Sequence, residues 1–598
     1  MTATSTPGQT QAPDGAGAPV TLHRPLDCDL LVIGSGAGGL AAAVTAAELG
    51  LKVIVAEKAP VIGGTTAFSG GWLWIPNAPH AVRAGKGEDP EQVRSYLRAV
   101  IGNHYDAAMI DRYLEAAPRM LSFFEERTEV QFTPGAGVPD FHGNLPGAAT
   151  GWRSVVAAPY DGRKLGALIH RLRRPIPETT FMGMGIAAGV DLRMFMTAMR
   201  SPRAFAHVTR RVLKNLRDLA LYRRPMQIVN GNALVARLMR SAEDRGVTLL
   251  TEAPARSLLR EGRRVTGAML ETPQGKVAVR ARRGVVLATG GFPHGETRLR
   301  EMLPHVQNGT PHISAAPETN TGDGMRLAET VGGRISRDLA HGAAYAPVSR
   351  VPRNDGTTGR FPHLVERGKP GIIGVLASGR RFVDEGGPYH DYVREMIAAT
   401  PAGEKVRSWL VCDHRFLRRY GLGAVKPAPL PFGHWLKTGY LKTGATIEEL
   451  ARACGIDPAG LTATVTAFNR HAARGEDPEF HRGETPYGKV QGDPDHKPNP
   501  AVAPIEHGPF YAVEIVPGSL GTFAGIMTDA DGRVLDAGNL PVPGLFAAGN
   551  DMNSIMGGAY PSGGITLGPA MTFGFLVAEA IASGEEVGTK DGRREHAI

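Results

Sequence analysis

Two tyrosines stand where the surrounding residues favour close approach of a backbone to a ligand. Tyr560 sits in "GGAYPSGGITLGPAMTFG" (557–574), a helix-entry loop that glycine keeps nearly bare. Such a loop lets main chain press against a bound molecule, so a bulky side chain there needs a reason. Tyr389 sits in "GRRFVDEGGPYHDY" (379–392), directly after a Gly-Gly-Pro turn and three residues before a competitor, Tyr392. A phenol titrates at about 10, so it can donate to a carbonyl oxygen or, with its pKa lowered, act as a base. Both roles meet in one reaction. A hydrogen β to a ketone leaves as hydride only once its α-neighbour has become acidic. That requires donors on the ketone oxygen and a base at the α-carbon. Taken singly, a loop tyrosine is ordinarily a packing residue; a redox cofactor beside the pair changes that reading.

The cofactor signal is at the front of the chain. "DCDLLVIGSGAGGLAAAVTAAELGLKVIVAEK" (27–58) reads as an apolar strand, a turn carrying Gly34, Gly36 and Gly39, an Ala-rich helix and a second strand ending at Glu57. The first glycine permits the turn and the second lets a pyrophosphate approach helix-terminal amides. The third permits close packing of helix on strand, and the acidic residue accepts from ribose hydroxyls. A second small-residue loop follows in "KAPVIGGTTAFSGGWLWIPN" (58–77), with Lys58, Gly64, Thr65, Thr66, Ser69, Gly70 and Gly71 as candidate contacts. Its position suits a long cofactor that continues past its pyrophosphate, as FAD does. Two later strand-to-turn runs complete the set. "RRGVVLATGGF" (282–292) offers Ala288, Thr289 and Gly290; "PGLFAAGND" (543–551) offers Gly549 and Asn550, with Leu567 at the following helix entry. Separated segments converging on one cofactor imply a split domain.

Composition fits an α/β protein of 598 residues with many tight turns: 77 glycines and an ordinary hydrophobic share of 42%. Three cysteines, Cys28, Cys412 and Cys454, lie far apart, which suggests a reducing compartment without a disulfide framework. No HExxH or His/Cys cluster has metal-ligand spacing, so no metal is expected, and "DADGRVLD" (529–536) reads as a hairpin turn. Residues 1–26 read as a disordered lead-in without a secretory signal, and no apolar run is long enough to span a bilayer. The net charge of +9 is concentrated. Between 191 and 224 nine Lys and Arg are interleaved with Met194, Phe195, Met199, Phe205, Val212, Leu213 and Leu216. The plain reading is a solvated helical face over a local core; the alternative is peripheral membrane contact through 190–225. No nucleic-acid module accompanies the charge.

The front motif, "ATGGF", "GRRFVDEGGPYHDY" and the closing glycine loop together resemble the FAD-dependent fumarate reductase and 3-ketosteroid dehydrogenase superfamily, over roughly residues 28–585. The resemblance implies a Rossmann-like α/β FAD domain built from both chain ends, 27–299 with a basic helical insertion at about 155–225, and 505–588. An α+β substrate-capping domain, 300–504, is inserted between them, and a polar tail follows at 589–598. FAD is expected to be non-covalent, because "GGTTAFSGG" offers no histidine where succinate dehydrogenases carry one. The dicarboxylate enzymes of the superfamily present arginines where this chain has Tyr389 and Tyr560, and "GSLGTFAGIMTD" (518–529) lacks their histidine. Two tyrosines there is the pattern of the 3-ketosteroid dehydrogenases. That pattern implies a ketone oxygen held by Tyr560 and the Gly564 N–H, proton removal by Tyr389, and hydride transfer to flavin N5. The expected activity is Δ1-dehydrogenation of a 3-ketosteroid. Δ4(5α)-dehydrogenation and desaturation of a non-steroid ketone are alternatives, and a reductase of fumarate or urocanate is the lesser reading. One departure stands out. A further tyrosine supports the base in those enzymes, and the comparable stretch "EVQFTPGAGVPDFHGN" (129–144) has only Phe132 and Phe141. A quinone acceptor and a cytoplasmic location, with the inner membrane surface as a peripheral contact, complete the expectations.

Overall fold

The structure, a computed structural model, describes residues 24–584; the bulk of the lead-in and the whole 589–598 tail lie outside the described residues. The first sheet has eight strands. Leu26–Ile33 lies between Val53–Ala56 and Gly275–Leu287 and is parallel to both. Thr248–Leu250 extends the sheet beyond Val53–Ala56, and Pro541–Ala547 extends it beyond Gly275–Leu287, again in parallel. Leu30, Leu31 and Val32 are fully buried, as a parallel strand covered on both faces requires. The amino-terminal half of Gly275–Leu287 continues outward into the antiparallel Arg264–Thr272 and Ala255–Glu261.

The Ala-rich run expected after the glycine turn is the helix Ala37–Glu48, and it crosses the carboxyl-terminal helix Leu567–Ser583. The crossing is close because glycine occupies it: a Cβ on Gly574 would stand 2.4 Å from the Gly38 carbonyl oxygen. A strand and a helix from the end of the chain thus complete the layers begun by its first residues.

A second sheet of seven strands lies in the middle of the chain. Its central strand is Phe510–Thr522, antiparallel to Ala343–Pro352 and Ser408–Asp413 and parallel to Ile313–Ser314. The expected boundary at 504/505 is therefore too early. The reason is legible in the strand itself, whose burial is nearly continuous because it is paired on both edges within the second sheet. Beneath this sheet the "GRRFVDEGG" stretch is anchored by a buried ionic network. Arg381 donates to both Glu385 and Asp477, and Arg482 donates to Glu385 and to the carbonyls of Ile372, Arg367 and Lys369.

The basic insertion also differs from expectation. Ser154–Ala157 is a strand paired with Trp72–Trp74 and Phe132–Pro134, so the helical part begins later, with Val190–Thr197 and Pro202–Tyr222. The longer helix does not sit on an apolar core. Its buried residues are Ala204, Arg211, Asn215 and Asp218, while Phe205, Leu213, Leu216 and Leu221 face outward. Among the described residues no helix is long and apolar enough to cross a membrane.

Candidate functional site

The three expected cofactor segments meet because their strands are neighbours. Leu26–Ile33, Gly275–Leu287 and Pro541–Ala547 run parallel, so their carboxyl ends deliver Gly34, Ala288–Gly290 and Gly549–Asn550 to one edge of the sheet. Ligands of open α/β sheets bind at that edge. The glycines differ in what constrains them. Gly34 has φ +110°, and a Cβ there would lie 2.1 Å from the Ala288 carbonyl oxygen. A Cβ on Gly39 would lie 2.1 Å from the Gly34 oxygen, the helix-on-strand packing expected of the third glycine. At Gly36 the nearest atom is Thr66 Oγ1 at 3.7 Å, so this position faces open space where a phosphate can approach.

The loop after Glu57 is held in place by its own hydroxyls. Thr66 Oγ1 accepts from Ala37 N at 2.9 Å, Asn320 donates to Thr65 Oγ1 at 3.1 Å, and Ser69 Oγ accepts from Gly71 N. Glu57 is buried and accepts from Ser35 N, Ser35 Oγ and Ala59 N, which fixes its carboxylate at the end of Val53–Ala56. Lys58 points elsewhere, donating to Thr321 and Asp323 at 2.8 Å each. Gly64, with φ +50°, lies over Gly36, and Gly70 sits beside Trp72. Leu567 is the first residue of the Leu567–Ser583 helix.

Two residues outside the sequence-derived set belong to this edge. Asp551 is fully buried and accepts from Thr289 N, Thr289 Oγ1 and Gly291 N, tying the second and third segments together. It follows Asn550 directly, and an acidic residue closing a small-residue turn was the signal available for it. Arg173 lies over the Phe68 ring at 5.6 Å, and its Nε and Nη2 are buried without a partner among the described residues. An unsatisfied buried guanidinium beside a phosphate-type loop fits an anionic cofactor. These cradles and the orphaned cation suit a dinucleotide of FAD's length.

The phenols come together where the glycine loop meets the second sheet. Tyr389 is the first residue of the Tyr389–Ala399 helix, and its ring packs edge-on against Tyr560, centroids 4.9 Å apart at 73°. Both are buried. Tyr392, the competitor, turns away; its hydroxyl meets Ser408 Oγ at 3.0 Å and its ring packs on Phe382. Burial pushes Tyr560 up to about 12, and the neighbouring hydroxyls of Tyr389 and Thr566 oppose that rise. Burial, reinforced by Tyr560, holds Tyr389 well above the ordinary phenol value, and the charge of Arg367 opposes it. Gly564 has φ +103°, and a Cβ there would lie 2.6 Å from Trp74 N. Its carbonyl accepts from Trp74 N and Gly568 N, while its N–H is donated to no group among the described residues.

Phe141 occupies the region where a supporting tyrosine was expected. Its backbone N–H donates to the Pro561 carbonyl at 2.9 Å, and its ring stacks on Tyr560 at 5.6 Å. Another phenol stands beside Phe141. Tyr487, from the Pro486–Gln491 helix, packs on Phe141 at 4.5 Å, lies within the electrostatic reach of Tyr389, and is pushed by burial up to about 12. Sequence reasoning missed it because it stands 98 residues after Tyr389 and 73 before Tyr560, in no motif. Arg367 is also buried and donates to the carbonyls of His363, Glu385 and Gly387, clamping the turn that launches the Tyr389 helix. His390, the next residue, is buried as well. Its Nδ1 accepts from Tyr345 N at 3.2 Å, and burial holds its pKa well below the usual range, so the ring is neutral. Asp391 faces His142 and Arg394 at 3.7 and 3.6 Å. Ser562 is fully buried.

A family model described as an FAD binding domain matches residues 29–567. 4-oxocyclohex-2-ene-1-carboxylate 5-dehydrogenase of Sinomonas cyclohexanicum is 40% identical over 581 residues, 96% of this chain and 97% of its own. 3-oxosteroid 1-dehydrogenase of Mycolicibacterium smegmatis is 37% identical over 567 residues, covering 93% of this chain and 97% of its own. Among solved structures, the 3-ketosteroid delta1-dehydrogenase from Sterolibacterium denitrificans in complex with 1,4-androstadiene-3,17-dione aligns with a TM-score of 0.86 at 35% identity. That alignment covers 93% of this chain and 99% of the other.

Proposed function

Because the chain belongs to the FAD binding domain family and is a flavin-dependent dehydrogenase related to the 3-oxosteroid 1-dehydrogenases, we propose that it desaturates a hydrophobic cyclic ketone of the 3-ketosteroid type at the bond next to the carbonyl. The observation that carries this reading is the buried edge-on contact of Tyr389 and Tyr560 beside the free N–H of Gly564. Tyr560 donates its hydroxyl to the ketone oxygen and Gly564 its N–H, and the negative charge that forms there is held by two fixed donors. Tyr389 takes the proton from the α-carbon. Tyr487 orders the Tyr389 hydroxyl in the role left vacant at Phe141, and Arg367 lowers the cost of the phenolate. When bound, FAD supplies the acceptor for the hydride that leaves the neighbouring carbon. Gly34, Gly36, Gly39, Glu57, Thr65, Thr66, Ser69, Thr289, Asp551 and Arg173 are the residues we assign to its binding, and a quinone is the acceptor we assign to reoxidation.

A smaller ring ketone bearing a carboxylate is the second reading, favoured by the similarity to the oxocyclohexene carboxylate enzyme. Anaerobic titration of the holoenzyme separates the two. Bleaching of the flavin by 3-ketosteroids and not by 4-oxocyclohexanecarboxylate supports the first, and the reverse order supports the second. Bleaching by succinate alone would overturn both.

A further inference from the structure

A cavity of about 1080 Å³ adjoins the cofactor loop at Phe68, Ser69 and Gly70. Its walls are mainly apolar, with Phe181, Phe195, Phe361 and Leu422 among them. That volume stands at the upper end of small-molecule sites, which run from roughly 300 to 1,000 Å³. Three cations interrupt the apolar lining: Arg174, Arg224 and Lys426. Lys426 is answered from within the protein. It donates to the Glu178 carbonyl at 2.9 Å and lies in the field of Glu366 and Glu178. Glu366, an acid of the lining, is in turn paired with His363 at 2.6 Å.

The two arginines have no such answer. Arg224 is 6% exposed, and it donates through Nη1 to the Ile169 carbonyl. Its Nε is buried without a partner among the described residues. Burial, with the repulsion of Arg174 added to it, brings the Arg224 pKa down to about 10. Arg174 is exposed and makes no ion pair or side-chain hydrogen bond among the described residues. A buried guanidinium with a free nitrogen, beside a second cation and no carboxylate, costs folding energy that a bound anion offsets. Guanidinium groups take a planar carboxylate through both of its oxygens.

The distance to the phenols sets the size of the ligand. Gly70 lines the cavity, and Trp74 N donates to the Gly564 carbonyl at 3.1 Å. The chain between Gly70 and Trp74 spans up to about 13 Å, at roughly 3.3 Å per extended residue. A ligand that bridges the Gly564 N–H and the arginines of the cavity is therefore several fused rings long. A single ring with its carboxylate is too short.

We propose that Arg174 and Arg224 form a carboxylate subsite, and that the substrate is an apolar polycyclic keto acid whose carboxylate binds there, at the end opposite its ketone. The orientation of the ring system rests on the ketone desaturation proposed above; the anion subsite stands on the cavity alone.

The test compares a 3-ketosteroid carrying a carboxylic acid on its D ring with the primary amide of the same molecule. Anaerobic bleaching of the holoenzyme reads reactivity, and calorimetry on holoenzyme reduced beforehand with dithionite reads Kd without turnover. The acid should bind about tenfold more tightly than the amide, or better. R174Q should lose most of that preference, and R174Q/R224Q all of it, with the amide's Kd and the flavin spectrum unchanged. R224K keeps the cation and should retain part of the preference. Equal binding of acid and amide by the parent overturns the proposal. So does R174Q with an undiminished preference, a result that holds even where the Arg224 variants fail to fold. Loss of flavin from R174Q overturns it by assigning the arginines to the cofactor. Tighter binding of the coenzyme A thioester than of the free acid overturns the carboxylate assignment. Preference for the acid without bleaching by either compound leaves the subsite standing and removes the catalytic reading instead.

Discussion

At the residue scale the account depends on how a buried phenol comes to act as a base. Burial and the neighbouring Tyr560 both oppose ionisation of Tyr389; the Arg367 charge favours it. A base with a raised pKa is active only in its minority deprotonated form, so kcat/KM should rise with pH through the alkaline range, about tenfold per unit. Stopped-flow flavin reduction across that range measures the slope, and a rate independent of pH would exclude Tyr389 as the base. Tyr487→Phe should leave FAD binding and the ketone contacts intact. It should lower the rate of flavin reduction by about 10- to 100-fold and move the alkaline limb upward; an unchanged pH profile would reduce Tyr487 to packing. Of these residues, Tyr389, Tyr560 and Gly564 were legible in sequence because they stand in glycine turns with a recognisable neighbourhood. Tyr487 and Arg367 were not, since their roles come from tertiary contact with residues far away in the chain. The neutrality of His390 is likewise a property of its burial.

At the element scale the dinucleotide site was the most legible part of the molecule. Its strands, turn and helix are contiguous in sequence, and each glycine has a local geometric reason. Gly34→Ala places a methyl group about where the Ala288 carbonyl stands, in a backbone conformation that L residues rarely adopt. We expect this variant to purify with little or no FAD, read from its visible spectrum; full flavin content would contradict the close approach of the two strand ends. The strand Phe510–Thr522 shows where local reading stops. Its apolar run predicts a buried strand, but nothing in the run says which of two sheets it joins. The helix Pro202–Tyr222 shows the converse. Its periodicity was legible, and which stripe faces inward was decided by Asp191, Met182 and Met226, residues that sequence spacing alone could not bring against it.

At the scale of the whole molecule, the cofactor edge joins the first residues, the middle and the end of the chain through Gly34, Thr289 and Asp551. A ligand bound across such a junction stabilises the folded state by mass action, by about 2.7 kcal/mol at a hundredfold excess over its Kd. Removal of FAD should therefore lower the thermal midpoint of the protein, and readdition should restore it; equal midpoints with and without FAD would place the cofactor off this junction.

The claim on which the catalytic account turns is that the Tyr560 hydroxyl holds the ketone oxygen while the flavin is reduced. Anaerobic reduction of Tyr560→Phe by a 3-ketosteroid tests it most directly. The account predicts a variant with the FAD spectrum of the parent and flavin reduction slowed by about 100-fold or more. A variant that bleaches as fast as the parent would contradict it.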